Sequence, residues 1–342
     1  MTPMWSNLAT YPWHWNEAML SDTNFQYVTA ANGTRLRIAI AGSGPLVLMV
    51  HGFPESWFSW RHQMPAIAAA GFTAAALDVR GYGGSDKPDA IEAYTIKELA
   101  GDIAAVIDAL DPAGAVLIGH DWGAPQVYGT ALIYSSRVRA VVGLSVPAIG
   151  YIDRKPSEFW ARTYPDKLFY QTYFWLPGPA EAELEADPYR TIRLFYYALS
   201  GDRPQGVSAL VRPAGATSLL AGLPDPDPLP PWLSSEDVAY YADSFASGGF
   251  RGPLNRYRAQ DIDVEQLRAY AGNKIEQPAL FIAGGHDPTR SMIPGVDRYA
   301  DPVPRFADCH GVHLLEGIGH WVQQEAPDAV NRLILDFLNT LR

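Results

Sequence analysis

The segment Gly119-His120-Asp121-Trp122-Gly123 sets a carboxylate at a sharp change of chain direction. An apolar run, Ala115-Val116-Leu117-Ile118, precedes it, and a small-residue stretch with helical character, Ala124 to Tyr134, follows. Strand, tight turn flanked by glycines, then helix is a device for lifting one side chain clear of the backbone, with no room for a Cβ on either flank. An aspartate there, with a reference pKa of about 3.9, is ionised at neutral pH and needs no base before it attacks. It can displace a leaving group from saturated carbon and become an ester of its own side chain. The chemistry expected is therefore hydrolysis at an alkyl carbon, not ordinary ester cleavage.

Three more segments supply partners. His51-Gly52-Phe53-Pro54 follows the apolar run Leu46–Val50. The backbone N–H groups of Phe53 and Trp122 are the expected donors to the oxyanion made when water attacks an Asp121 ester. Ala283-Gly284-Gly285-His286-Asp287 ends the strand candidate Ala279–Ala283 and puts Asp287 at the carboxyl edge of a sheet, where ligand sites of open α/β sheets lie. Gly317-Ile318-Gly319-His320-Trp321 puts His320 in a glycine-flanked loop near the same edge. One Asp or His at a strand end is more often a cap than a catalyst. Three in the order nucleophile, acid, histidine, beside an oxyanion turn, make a constellation. Asp287 would orient His320 and stabilise its charge, and His320 would take a proton from the hydrolytic water. Trp122 and Phe53 are expected at the substrate, with Trp321 read as either core packing or a further pocket wall.

The elements that must position these residues are legible as periodicity. Asn32-Gly33 reads as a hairpin turn between strands Phe25–Thr29 and Arg35–Ile40, a better reading than a glycosylation sequon at Asn32-Gly33-Thr34. Strand candidates Leu46–Val50, Thr73–Leu77, Ala115–Ile118 and Ala140–Leu144 then alternate with helices such as Ile96–Leu110, whose Leu99, Ile103, Val106 and Ile107 share a face. The alternation stops near Pro147. Residues 149–265 are aromatic, proline-broken and helical, with Asp187-Pro188 opening one helix, Gly201 stopping it, and Ser234 to Gly249 framing another. Leu223 to Pro231 is a stiff extended lid loop. Strands return at Ala279–Ala283 and Val312–Leu315, and a helix from Pro327 to Leu341 closes the chain. The division expected is a core in two parts, residues 1–148 (with an N-terminal extension of about 1–22) and 266–342, carrying a cap of 149–265.

Composition limits the partners. With 342 residues, 48% hydrophobic and 18% charged, the chain can bury a substantial core. Its net charge of −11 and lack of a basic cluster exclude nucleic acid and anionic membrane as expected partners. Met1 to Leu20 does not read as a signal peptide, no run of apolar residues is long enough to span a bilayer, and Cys309 is the lone cysteine, so a cytoplasmic protein is expected. Trp5, Trp13 and Trp15 would pack on the core or on a neighbouring subunit, which leaves a homodimer open. Cys309-His310-x-x-His313 lacks a fourth metal ligand and reads as turn and strand, and Tyr82-Gly83-Gly84-Ser85 reads as a surface loop rather than a phosphate cradle.

Beyond its first twenty or so residues the chain resembles the soluble epoxide hydrolases of the α/β-hydrolase fold. His51-Gly52-Phe53-Pro54-Glu55-Ser56-Trp57, Asp78-Val79-Arg80-Gly81-Tyr82-Gly83, Gly119-His120-Asp121-Trp122-Gly123 and Gly319-His320-Trp321 carry the resemblance. So do Tyr170-Gln171-Thr172-Tyr173-Phe174 with Pro177-Gly178-Pro179-Ala180-Glu181, and Phe250 to Arg258. The resemblance implies an α/β fold with a mainly parallel eight-stranded sheet flanked by helices and an inserted helical cap. It implies hydrolysis of an epoxide, here a small apolar one, to a vicinal diol, with water as co-substrate and neither cofactor nor metal. It also implies that Tyr170 and Tyr257 donate to the epoxide oxygen; Tyr173 is the alternative to Tyr170. A phenol, with pKa about 10, keeps its proton at neutral pH and can give it to a developing alkoxide.

A haloalkane dehalogenase is the alternative, with Trp122 holding the halide and Trp160, Trp175 or Trp232 supplying the second N–H that Phe53 cannot. Fluoroacetate dehalogenases want an arginine where Trp122 stands. A non-catalytic receptor would not need the intact Asp121, Asp287 and His320.

Overall fold

The computed structural model describes residues 24–342; the N-terminal tryptophans and the whole of the expected extension lie outside them. Eight strands form one sheet: β1 (Asn24–Thr29), β2 (Arg35–Gly42), β3 (Leu46–Val50), β4 (Thr73–Leu77), β5 (Ala115–His120), β6 (Val138–Leu144), β7 (Ile275–Gly284) and β8 (Phe306–Leu315). Their spatial order is β1-β2-β4-β3-β5-β6-β7-β8. The pairs β1/β2 and β2/β4 are antiparallel and every other pair is parallel. This is the expected α/β-hydrolase architecture.

Burial explains the order. β3 and β5 are buried at every residue, as parallel strands covered on both faces must be. β1 is open to solvent along most of its length and lies at an edge. The β1/β2 turn differs in detail from a two-residue Asn-Gly hairpin. Thr29 pairs with Arg35, so five residues form the loop, with Gly33 at φ 86° and the Asn32 side chain accepting from Thr34 N–H. The last two strands run longer than the apolar pattern showed. In β8, residues 307–310 are exposed, and Cys309, His310 and His313 lie along one edge strand.

The helices α1 (Gln63–Ala69), α2 (Ile96–Leu110) and α3 (Gly123–Ile133) flank the first half of the sheet. Thr95 caps α2 by accepting from Glu98 N–H, and Leu99, Ile103, Val106 and Ile107 are buried against the sheet. Each such side chain contributes about 1.5–3 kcal/mol by leaving water. The Tyr82–Ser85 segment is not a surface loop throughout: Tyr82 and Ser85 are buried, with Ser85 Oγ donating to the Asp78 carbonyl.

Between β6 and β7 lie α4 (Pro156–Thr163), α5 (Tyr170–Trp175), α6 (Pro179–Glu185), α7 (Pro188–Leu199), α8 (Ser235–Gly248), α9 (Arg251–Arg258) and α10 (Gln260–Gln266). Asp187 caps α7 through Arg190 N–H, and a Ser234/Asp237 capping box opens α8. Helix α7 stops at Leu199, two residues before Gly201. Helices α11 (Val322–Glu325) and α12 (Pro327–Thr340) end the chain. Among the described residues no helix is long and apolar enough to cross a membrane.

The topology fixes the site. From β3 the chain returns on one side as β4 and on the other as β5, so the carboxyl ends of β3 and β5 flank the switch point where open α/β sheets bind ligands.

Candidate active site

Asp121 stands between β5 and α3 with φ 48°, a left-handed conformation that few non-glycine residues adopt. Such strain, of order 1–3 kcal/mol, persists only where the surroundings enforce it. Asp121 N–H donates to Leu144 O at 3.3 Å and Ala124 N–H closes the turn on Asp121 O at 3.1 Å. A Cβ at Gly119 would strike the Gly123 backbone, and one at Gly123 would strike the Val50 carbonyl. The glycines on both flanks are therefore required by close approach.

The carboxylate is held by one oxygen. Oδ1 accepts from Phe53 N–H at 2.9 Å, and Oδ2 lies 3.4 Å from His320 Nε2. A Cβ on Gly52 would collide with Asp121 Oδ1 and come within 2.7 Å of Trp122 N, so Gly52 is required by the close approach of the His51–Phe53 turn to Asp121 and Trp122. In this state Phe53 N–H makes the bond and Trp122 N–H stands beside it.

His320 Nδ1 lies 2.8 Å from Asp287 Oδ2. Asp287 also accepts from Thr289 N–H at 2.8 Å and Tyr299 Oη at 2.8 Å. Burial works to raise the Asp287 carboxyl, but the charge and hydrogen bond of His320, with the Thr289 and Tyr299 donors, take it below the ordinary value. Burial works the other way on His320. The charges and hydrogen bonds of Asp287 and Asp121 overcome it and push the imidazole well above 6.5. It stands between two carboxylates, both of which favour its charged form.

The histidine loop is fixed through its backbone. His320 N–H donates to Leu199 O at 2.9 Å, at the end of α7. His320 O accepts from Ser145 Oγ at 2.7 Å and from His120 Nε2 at 2.8 Å. His120 Nδ1 in turn faces Glu55 Oε2 at 2.8 Å. Burial would raise the Glu55 carboxyl, yet His120, His51 and the Gly52 N–H bring it down to about 2. Glu325 accepts from Gly319, Trp321 and Gly201 N–H groups at 2.8 to 2.9 Å, and burial pushes it up to about 7 despite them.

Above this edge, α5 and α9 bring Tyr170 and Tyr257 together. Their ring centroids are 5.9 Å apart at 81°, and Tyr257 stands edge-on to Trp122 at 5.3 Å and to Phe53 at 5.4 Å. Burial drives both phenols up, and the Asp121 charge adds to it, so both remain protonated. Tyr173 points elsewhere, its hydroxyl donating to Pro179 O at 3.1 Å. A cavity of about 510 Å3 is lined by Asp121, Trp122, Tyr170, Gln171, Trp160 and Met292 among others, and its lining is mostly apolar.

Two expected substrate contacts fall outside that lining. Trp321 is fully buried, stacked on Tyr196 at 4.2 Å with its indole donating to Tyr196 O, so it is core. The Phe53 ring packs against Phe174, Phe195 and Phe250, leaving its amide as the part that meets Asp121. Tyr257 is also outside the lining and packs edge-on against Trp122 and Tyr170, which line it. Of the cap tryptophans considered as a halide donor, Trp175 donates to Tyr257 O and Trp232 to Asp202, which leaves neither indole free.

Several residues of the site escape sequence reasoning. Glu55 and His120 sit inside the quoted motifs, but only the fold joins them. Ser145, Thr289 and Tyr299 carry no local signal; the positive φ of Ser145, 63°, is visible only in three dimensions.

Comparison with known proteins agrees with the geometry. A family model described as alpha/beta hydrolase fold matches residues 45–327. Epoxide hydrolase A of Mycobacterium tuberculosis (strain ATCC 25618 / H37Rv) is 41% identical over 312 residues, covering 91% of this chain and 96% of that protein. The solved structure of an epoxide hydrolase from an endophytic Streptomyces superposes with a TM-score of 0.86 at 43% identity, covering 94% of this chain and 96% of the other. Epoxide hydrolase I of potato (Solanum tuberosum) gives a TM-score of 0.80 at 32% identity, with 93% and 100% covered. With Asp121, Asp287 and His320 at one sheet edge and relatives this similar over nearly its whole length, the chain belongs to the epoxide hydrolase family of the α/β-hydrolase fold.

Proposed function

We propose that this enzyme hydrolyses a small apolar epoxide to a vicinal diol through an ester on Asp121, with residues 149–265 acting as a cap over the site. In the first step Asp121 Oδ2 attacks an oxirane carbon. The C–O bond breaks, and the leaving oxygen takes a hydrogen from Tyr170 with Tyr257 beside it, so no free alkoxide forms. Esterification removes the negative charge next to His320 Nε2. One of the two carboxylates that favour the charged ring is then gone, and its proton passes to the Tyr170 phenolate, which restores the phenol and leaves His320 neutral, the form that burial favours.

The neutral histidine is the base of the second step. It takes a proton from water, the hydroxide adds to the ester carbonyl, and the negative charge builds on Oδ1 beside the Phe53 and Trp122 amides. Collapse breaks the acyl C–O bond and returns the proton to the departing oxygen, freeing the diol, and the Asp121 carboxyl then gives the hydrogen of the added hydroxide to His320, which restores the carboxylate and the charged ring. The observation that carries this reading is the carboxylate itself: strained, clamped by Phe53 N–H and lining the same apolar cavity as the Tyr170 phenol. Removing an alkylating epoxide in this way would serve detoxification.

The test is turnover of an aryl epoxide and a bromoalkane by the purified protein, following diol and halide. Diol without halide is expected. Halide without diol would overturn the assignment of both tyrosines.

A further inference from the structure

Two glutamines connect the paired tyrosines. Gln171 is buried, with Nε2 2.8 Å from Tyr170 Oη and Oε1 3.2 Å from Gln260 Nε2. Gln260 Nε2 also reaches the Tyr257 carbonyl oxygen at 3.0 Å. An amide side chain can face either way, but a backbone carbonyl only accepts. The Tyr257 carbonyl therefore fixes the NH2 end of Gln260 toward itself. That leaves the Gln171 carbonyl as the acceptor from Gln260, and the Gln171 NH2 as the donor to Tyr170. One main-chain oxygen sets the direction of the whole chain.

The consequence falls on the Tyr170 proton. The phenol oxygen already receives a hydrogen bond, so its own hydrogen must point away from Gln171. The neighbour on that side is Met292 Sδ at 3.6 Å, a thioether and a weak acceptor. Both Met292 and Tyr170 line the cavity that Asp121 enters. An oxygen atom arriving there displaces the sulfur easily. The same amide donor favours the charge that grows on the phenol oxygen as its proton leaves.

We propose that Gln171, held in register by Gln260, is a positioning residue that turns the Tyr170 hydroxyl hydrogen into the cavity and onto the oxirane oxygen. This rests on Tyr170 being an epoxide-oxygen donor. It goes beyond that reading because it makes the direction of the donor, not only its presence, a property of two side chains 89 residues apart.

The test separates polarity from packing, since Gln171→Glu fills the same space but offers only acceptors when ionised. A glutamate there captures the Tyr170 hydrogen and draws it away from the substrate. Single-turnover alkylation of Asp121 and hydrolysis of the resulting ester are measured separately for wild type, Gln171→Ala, Gln171→Glu, Gln260→Met, Gln260→Glu and Tyr170→Phe. Loss of the amide in Gln171→Ala should slow alkylation roughly ten-fold. Reversal in Gln171→Glu should slow it roughly a hundred-fold, with ester hydrolysis unchanged. Gln260→Glu should likewise be slower than Gln260→Met, and this pair carries the test alone if Gln171→Glu does not fold. Alkylation by Gln171→Glu as fast as by Gln171→Ala, or equal slowing of both steps, overturns the proposal. Tyr170→Phe tells this failure from that of the donor reading. If it alkylates at the wild-type rate the donor itself is wrong, whereas slow Tyr170→Phe with fast glutamate variants overturns the orientation alone.

Discussion

The sheet edge and the inserted helices hold their functional groups by different means. Asp121, Asp287 and His320 come from the loops after β5, β7 and β8, and each is gripped by main-chain donors or acceptors. Tyr170 and Tyr257 come from short helices and are held by ring contacts and amide side chains. The energies explain the division. Burying an ion costs several kcal/mol unless partners are fixed in advance, and a backbone at a sheet edge is the most rigid source of them. A buried phenol is neutral and needs only a hydrogen bond or two. At this site the ionised groups therefore sit on the core, and the neutral donors ride on the insertion.

The largest break in this comparison is Asp121→Asn, which removes the proposed nucleophile. Turnover should fall by at least roughly four orders of magnitude, measured as diol formed. Next is His320→Gln, expected to lower turnover roughly a thousand-fold while leaving alkylation intact. Intact mass should then show the protein carrying one substrate equivalent, and an unmodified protein would refute the division of labour. Substituting Tyr257→Phe should slow alkylation about ten- to a hundred-fold, and combining it with Tyr170→Phe should lose more than either, with ester hydrolysis spared.

How much of this was legible in the sequence follows from the same division. Leu46–Val50, Thr73–Leu77 and Ile96–Leu110 match their elements residue for residue because uniform burial or a clean helical face writes itself into composition. The start of β8 did not show, since residues 307–310 face solvent and carry no apolar pattern. At the site, the glycine-flanked turns announced Asp121 and His320, because a backbone that cannot admit a Cβ demands glycine. Trp321 misled because a tryptophan beside the candidate histidine looks like a pocket wall until Tyr196, 125 residues away, is stacked on it. Tyr299 and Gln260 reach their partners only through the fold, and no spacing could reveal them.

Two smaller effects sharpen the picture of the core. Burial lowers the His320 affinity for its proton, and the Asp287 and Asp121 carboxylates more than reverse it. Asp121→Asn removes one of those carboxylates, so the His320 pKa should move down, seen as an imidazole titration by NMR. The sign for stability follows: the raised imidazolium contributes fully below about 6.5, its unfolded value, and its contribution is lost as pH rises through the folded value. A pKa that stays put in Asp121→Asn would mean the 3.4 Å pair does not couple. Smallest is Tyr299→Phe, which takes a donor from Asp287 and from Ser145 O. It should cost about 1–2 kcal/mol of stability in denaturant unfolding and slow ester hydrolysis more than alkylation.

The ester on Asp121 is the centre of the account, and one turnover in heavy-oxygen water tests it most directly. With enzyme in excess over epoxide, the Asp121 peptide should gain the label and the diol should contain none, because the diol keeps an oxygen that belonged to the carboxylate. Label appearing in the diol of that first turnover, with the Asp121 peptide unlabelled, would mean that water attacks the epoxide directly.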